Sequence, residues 1–547
     1  MAIAAGEAAC SPVERNFPPL SGAGGAGGSG GGLVCTPDAV EPCYTGPEGS
    51  QGVGSCKEGT HVCNKDGTGF GACEGEVLPQ AEDCTTAVDE ACNDAPAMEC
   101  APLGYVWSKA YGDAPGAQSL ADIAVTPDGD LVVVGAFAGM IDFGGQPMAS
   151  TGSMDIFVAK LKSTGELIWS QRFGDADTQR ATCVVVDPMG GIYVGGLVFG
   201  SVNFGDGIKT STGSDDAFVA KLDPAGNGVW SRLYGDAGSQ EVRKLGLTST
   251  NQVVMGGMFG GNFTFGNVSH GSLGSDDIFV AKLSSEGFAV SSRRYGGMGT
   301  DTLTGLEIDS TDAVLLTGGF DSTIDFVAGA PLTSAGATDV FVAKLSSNLT
   351  TAWAKRWGDA DAQTGLDVAI GPGDEVMLAG SFKSTLDFGA ASVLKTQDPA
   401  ATNLYLARLS TSGDVSSAQS YGDATTTASV AKLAVDTVNG QLVVAGSFIG
   451  TLDFGGTPIT GSAGADPFVA KLLLAGGHVA SLSFPHDSKQ LTPSNLVHAL
   501  ALLPSGDPVI GGTLNSPVNF GGGAIGSDTG SGPIKLSGDA YIARFLH

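Results

Sequence analysis

Asp155-Ile156-Phe157-Val158-Ala159-Lys160-Leu161 is the stretch whose reading decides the fold. In an extended strand Phe157, Ala159 and Leu161 share one face, and Ile156 and Val158 share the other. Both faces are apolar, so such a strand has to be covered on both sides. The phrase returns with Phe157, Phe218, Phe279, Phe341, Tyr405, Phe468 and Tyr541 at its aromatic position. A second phrase, Ile141-Asp142-Phe143-Gly144, keeps step, with its aromatic at Phe143, Phe204, Phe265, Phe326, Phe388, Phe454 and Phe520. The steps are 61, 61, 61, 62, 66 and 66 residues, so the chain carries seven copies of one unit.

Each unit holds four β-rich runs bounded by Gly, Asp, Asn or Ser. In the first these are the Trp107 to Asp113 phrase, Ile123-Ala124-Val125, Leu131-Val132-Val133-Val134-Gly135 and the Phe157 phrase. Apolar residues at helical spacing are missing throughout. The expectation is an all-β chain with four-stranded antiparallel blades, stacked face to face as a seven-bladed β-propeller over residues 101–547. The repeats open on the Trp107 phrase and close after Tyr541-Ile542-Ala543-Arg544-Phe545. If the Ile-Ala-Val phrase is innermost, one blade takes three strands from the C-terminus and one from residues 105–111, which removes an open edge.

These phrases resemble the SBBP (seven-bladed β-propeller) repeat family of bacterial surface and secreted proteins. The resemblance covers residues 105–547 and rests on Ile-Ala-Val followed by Asp-Gly, on Val-Val-Val-Gly, and on Phe-Val-Ala-Lys-Leu followed by Gly and Trp. Trp169, Trp230 and Trp353 fit the pattern, whereas the sites near Ser292 and Ser417 lack Trp. The family implies a fold and a location, not a reaction.

Eight of the ten cysteines lie in residues 35–100, at Cys35, Cys43, Cys56, Cys63, Cys73, Cys84, Cys92 and Cys100. A short segment this poor in core formers needs staples, so a disulfide framework in an oxidising compartment is expected. Eight cysteines allow 105 pairings, and the spacing does not choose among them. Zinc ranks far lower, because CxxC pairs at short spacing are absent. Within this module Glu82, Asp83, Asp89, Glu90, Asn93 and Asp94 bracket Cys84 and Cys92, similar to the metal-binding motif of MopE-type surface proteins. The resemblance implies a calcium site, and the competing reading is an acidic solvated loop. The Cys43-to-Cys56 segment resembles one common in extracellular proteins of myxobacteria.

Residues 1–34 read as a leader and a Gly/Ser-rich tether. Cys10 after Ala8-Ala9 resembles the mature start of a bacterial lipoprotein, which implies lipidation of Cys10. Glu7 departs from that family's cleavage box, so an ordinary cysteine in the tether is the alternative. No run of about 18 apolar residues occurs.

The chain's formal net charge is -30, and residues 1–104 alone hold 15 acidic against 3 basic residues. That acidity repels phosphate backbones and argues against nucleic-acid binding. No metalloprotease His pair, nucleophile elbow or Walker loop is present, so no catalytic residue is assigned. The lysine or arginine once per blade (Lys160, Lys221, Lys282, Lys344, Arg408, Lys471, Arg544) reads as a long stem packed between blades. The aspartates after Gly, such as Asp175, Asp236, Asp359 and Asp423, read as turn caps. Residues 395–403 and 478–498 read as insertions. The second offers His486, Asp487, Lys489 and His498 as a binding lip.

The functional expectation is an extracytoplasmic module, secreted or anchored as a bacterial outer-membrane lipoprotein, that binds a surface protein, glycan or matrix component. Two alternatives stay open. One is a glycan lyase or hydrolase acting at the central channel, for which a cluster of unpaired carboxylates, His or Arg at the channel mouth would be the sign. The other is a calcium-stabilised structural surface protein.

Overall fold

The computed structural model describes residues 34–47, 50–79, 92, 103–112, 116–389, 392–486, 494–526 and 538–547. The chain divides into two compact units, 1–96 and 97–547.

In the first unit Val40–Cys43 pairs antiparallel with Gly59–Val62. Val40 and Val62 are exposed, while Cys35, Cys56, Cys63 and Cys92 are buried, so cystine takes the place of an apolar core. The disulfides are Cys35–Cys63, Cys43–Cys73 and Cys56–Cys92. Each closes a loop of about 30 residues, which restricts the unfolded chain by about 3.5 kcal/mol. Three of the expected pairs are thus resolved, and Cys84 and Cys100 lie outside the described residues. Cys10 and the acidic set Glu82, Asp83, Asp89, Glu90, Asn93 and Asp94 lie outside them too.

The second unit is the seven-bladed β-propeller. Its blades are seven four-stranded antiparallel sheets. In blade 1 the strands run Gln118–Val125, Leu131–Phe137, Asp155–Leu161 and Leu167–Phe173, from innermost to outermost. Every residue of Leu131–Phe137 is buried, as double-sided burial requires. Blade 7 consists of Leu496–Leu502, Pro508–Leu514, Asp539–Phe545 and, from the other end of the repeats, Tyr105–Tyr111. Trp107 pairs with Arg544 and Tyr111 with Ala540. The ring is therefore closed by hydrogen bonds between the two ends of the repeat region, as the phrase order implied.

The structure adds an element that phrase reading merged into the strands. Between the second and third strands of each blade stands a small hairpin, such as Met140–Ile141 with Met148–Ala149. Its Asp-Phe-Gly aromatic is a buried wedge. Phe143 lies 4.6 Å from Tyr111 of blade 7 and 5.3 Å from Phe157 of its own blade. Phe204 sits likewise between Phe173 and Phe218, and Phe454 between Tyr421 and Phe468. Tilted and offset pairs like these favour a fixed angle between blades.

A second joint lies farther out. Trp107, Trp169, Trp230 and Trp353 leave the outer strand of one blade and cover Gly165, Gly226, Gly287 and Gly413 in the last turn of the next. Those glycines have φ of +78, +89, +79 and +81°, and a Cβ at any of them would meet the indole within 3.1 Å. Each indole N–H donates to the turn carbonyl two residues before the glycine.

Residues 478–498 are not wholly an insertion. His478–Ser483 is the regular outer strand of blade 6, unrecognised because Ala480 stands where four of the other blades have Trp.

Candidate functional site

The innermost strand of every blade carries a β-bulge at the same place. The register slips between Leu120 and Asp122, Ala181 and Cys183, Val242 and Lys244, Leu303 and Gly305, Gly365 and Asp367, Val430 and Lys432, and Val497 and Ala499. A bulge leaves backbone groups without ladder partners. Polar side chains of neighbouring blades answer them. Thr182 donates to Val242 O, Thr304 to Gly365 O at 2.7 Å and His498 Nδ1 to Leu120 O at 2.9 Å. Asp122 accepts from Val184 N at 3.1 Å and Asp367 from Leu433 N at 2.8 Å.

The residues just after the bulges form one ring around the channel: Asp122, Cys183, Lys244, Gly305, Asp367, Lys432 and Ala499. Glu307 lies two residues beyond Gly305. Three carboxylates and two lysines thus share the channel. Lys432 Nζ stands 3.7 Å from Asp122. Burial disfavours its charge, but Asp122 and Asp367 outweigh that and raise its pKa. Lys244 moves the other way, lowered by burial and by the Lys432 charge. Glu307 is open to the water of the channel yet enclosed by the ring. That enclosure and the nearby Asp367 push it up to about 7. Cys183 is buried in the wall, its thiol pushed up to about 12 by burial and by Asp122, and is unreactive.

At the end where the inner strands begin, the channel opens into a cavity of about 390 Å³. Arg243 and Lys244 supply donors to its wall, Thr182 and Thr304, whose protons go to backbone carbonyls, leave it hydroxyl acceptors, and Glu241 holds Arg243 Nε at 2.8 Å. Antiparallel order brings the second strands back to this end, so the seven hairpins rim the same mouth.

Of the four residues predicted as a binding lip, His486 and His498 are described. His486 follows the outer strand of blade 6, where its Nδ1 lies 2.7 Å from Asp466 and 2.6 Å from Ser462 Oγ. The serine and the aspartate both lie closest to Nδ1, with Ser462 Oγ 3.5 Å from Nε2, whereas a nucleophilic relay needs one on each ring nitrogen. The three are a buried brace. His498 faces the channel, kept neutral because burial lowers its pKa. Asp487 and Lys489 lie outside the described residues.

The recurrent charges do what their repetition suggested. Lys160, Lys344 and Arg544 reach Asp130, Asp309 and Asp507 at 3.2, 2.6 and 2.6 Å. Asp175, Asp236, Asp359 and Asp423 each accept from the backbone N–H two residues on. The channel ring was missed for the opposite reason, since its members do not recur. The available signal was the fourth residue after Gln118, Gln179, Gln240, Asp301 and Gln363, where otherwise similar strands disagree.

No protein-family model matches the chain. It is 24% identical over 204 residues to the regulatory protein FlaEY of Caulobacter vibrioides, covering 36% of this chain and 20% of that protein. It is 23% identical over 154 residues to the uncharacterized WD repeat-containing protein L264 of Acanthamoeba polyphaga mimivirus, 25% of this chain and 11% of that one. The match thus spans a fifth or less of either relative. Among solved structures, a protein of unknown function from Dyadobacter fermentans aligns over 82% of this chain and 99% of its own, at 10% identity and a TM-score of 0.37. Sqt1 from Chaetomium thermophilum aligns over 75% and 96%, at 10% identity and 0.38. Puromycin hydrolase aligns over 87% and 58%, at 12% identity and 0.36. These likenesses carry no inference about ligand or reaction.

The three disulfides place the chain in an oxidising, extracytoplasmic setting. Among the described residues no helix is long and apolar enough to cross a membrane.

Proposed function

We propose that this chain is an extracytoplasmic interaction module that takes an acidic glycan at the mouth of its channel. The supporting observation is the cavity of about 390 Å³ in which Arg243 and Lys244 stand among the hydroxyls of Thr182 and Thr304. Cations beside hydroxyl acceptors suit a sugar carboxylate flanked by hydroxyl groups. The chain's net charge of -30 opposes a polyanion at a distance. Salt confines that field to about 8 Å, whereas the two cations line the site itself. Surface anchoring through Cys10 remains part of this reading, and so does a bacterial source.

Calorimetry with oligogalacturonate, against a neutral oligosaccharide of equal length, tests the reading. Saturable binding is expected, weakened about tenfold or more by Arg243→Ala. No binding, or binding indifferent to Arg243, would reject it.

One observation favours the enzymatic alternative. The lowered pKa of Lys244 leaves a fraction of its amine uncharged at neutral pH, as a general base requires. A lyase would then release unsaturated uronate ends from the same probe, and Lys244→Met would abolish their release. Calcium at the acidic set around Cys84 and Cys92 is a separate proposal, judged by melting with and without EDTA.

A further inference from the structure

Four blade-to-blade grooves are closed by the chain's own tryptophans, and one built to the same plan is left open. In the groove between blades 1 and 2, Trp169 covers Gly226 and Gln171 touches the same glycine. Between blades 5 and 6 the equivalent run is Ser417-Ala418-Gln419, with Ser417 opposite Arg408 as Trp169 is opposite Lys160. Gln419 still lies against the turn glycine, Gly476, whose φ is +98°. The indole alone is missing. In its place are a half-open pocket of about 70 Å³ and an open cleft of about 540 Å³, which share Gln419, Tyr421 and Gly476.

Two further observations show that this vacancy differs from a lost joint. Between blades 3 and 4, where Ser291 replaces Trp, the turn compensates. Leu349 takes the glycine position with φ +62°, is fully buried and accepts from Tyr295 Oη at 3.0 Å. Nothing comparable occurs at Gly476. Second, the turns under the four tryptophans each open on a polar residue, Lys162, Asp223, Ser284 and Ser410. The turn of the open groove reads Leu473-Leu474-Ala475, with Leu473 46% exposed. An apolar turn facing solvent is costly unless something covers it. The rim carries the exposed carboxylate of Asp453, on a chain of net charge -30.

We propose that the groove between blades 5 and 6 docks a tryptophan side chain from a basic segment of a partner protein. The partner's indole would cover Gly476 as Trp169 covers Gly226, with its N–H toward the carbonyl of Leu474, the counterpart of Pro224 O. Flanking lysine or arginine on the partner would meet Asp453. The site is separate from the channel mouth and does not depend on the glycan reading.

The probe is Ac-Lys-Trp-Lys-NH2, titrated by calorimetry into the full chain, with Ac-Lys-Ala-Lys-NH2 as control. Saturable binding of the tryptophan peptide alone is expected. Ser417→Trp supplies the missing indole from within, so it should weaken the peptide about tenfold or more while melting no lower than wild type. Leu473→Lys changes an exposed side chain and guards against misfolding of the first variant. It too should weaken the peptide about tenfold, with melting unchanged. Arg243→Ala should leave peptide binding as it is. No binding to wild type, equal binding of the alanine peptide, or binding untouched by a folded Ser417→Trp or Leu473→Lys would overturn the proposal.

Discussion

At the scale of the residue, one position shows how a single substitution within a repeat leaves a pH-dependent fault. Gln118, Gln179, Gln240 and Gln363 open their inner strands, and the Gln179 amide donates to Phe199 O at the base of its hairpin. Blade 4 has Asp301 there. Its carboxyl is fully buried, and burial with neighbouring Asp277 pushes it up to about 7. An acid whose folded pKa is raised favours folding while it is protonated. That contribution is full below the unfolded value near 4 and fades as pH rises towards 7. Urea unfolding should therefore show stability falling over that window, and Asp301→Asn should flatten the fall. An unchanged pH profile in the variant would show that Asp301 ionises without penalty. The same scale explains why the candidate site was hidden. Lys160 or Asp175 announces itself by recurring, whereas Lys244, Asp367 and Lys432 matter because they do not.

At the scale of the element, stability lies in the joints between blades more than within them. Each blade pairs its own strands, but neither face is dry without a neighbour. The Phe wedges and the Trp covers supply that contact at two radii. Trp230 is the most buried of the covers, 6% exposed, with its N–H held by Ser285 O at 3.1 Å. Trp230→Ala should cost about 3–5 kcal/mol in chemical denaturation. A loss below about 1 kcal/mol would mean that the cover is ornamental. Strand phrases were legible because double-sided burial writes continuous apolar runs, as in Leu131–Phe137. The hairpins were not, since two residues such as Met140 and Ile141 are too few to show a period. The bulges were not either. A one-residue slip depends on the partner strand, and the sequence of Gln118–Val125 alone does not mark it. The disulfide pairing likewise depends on how Val40–Cys43 and Gly59–Val62 meet.

At the scale of the whole molecule, a ring makes its ends each other's partner and its axis the place where seven strands converge. Seven near-identical strands would give a symmetric, chemically uniform channel. Three carboxylates, two lysines, a cysteine and a histidine instead make one side of the mouth unlike the other, which is what recognition of an asymmetric ligand requires. That placement holds only if the ring is closed, because the inner strands of blades 7 and 1 meet through His498 and Leu120. Closure rests on Tyr105–Tyr111 pairing with Asp539–Phe545. Hydrogen exchange read by mass spectrometry on the full chain tests this most directly. The account predicts that amides of residues 105–111 that bond to residues 539–545 exchange as slowly as those of the buried strand Leu131–Phe137. Exchange of residues 105–111 at the rate of an unstructured segment, with the other blades protected, would contradict it.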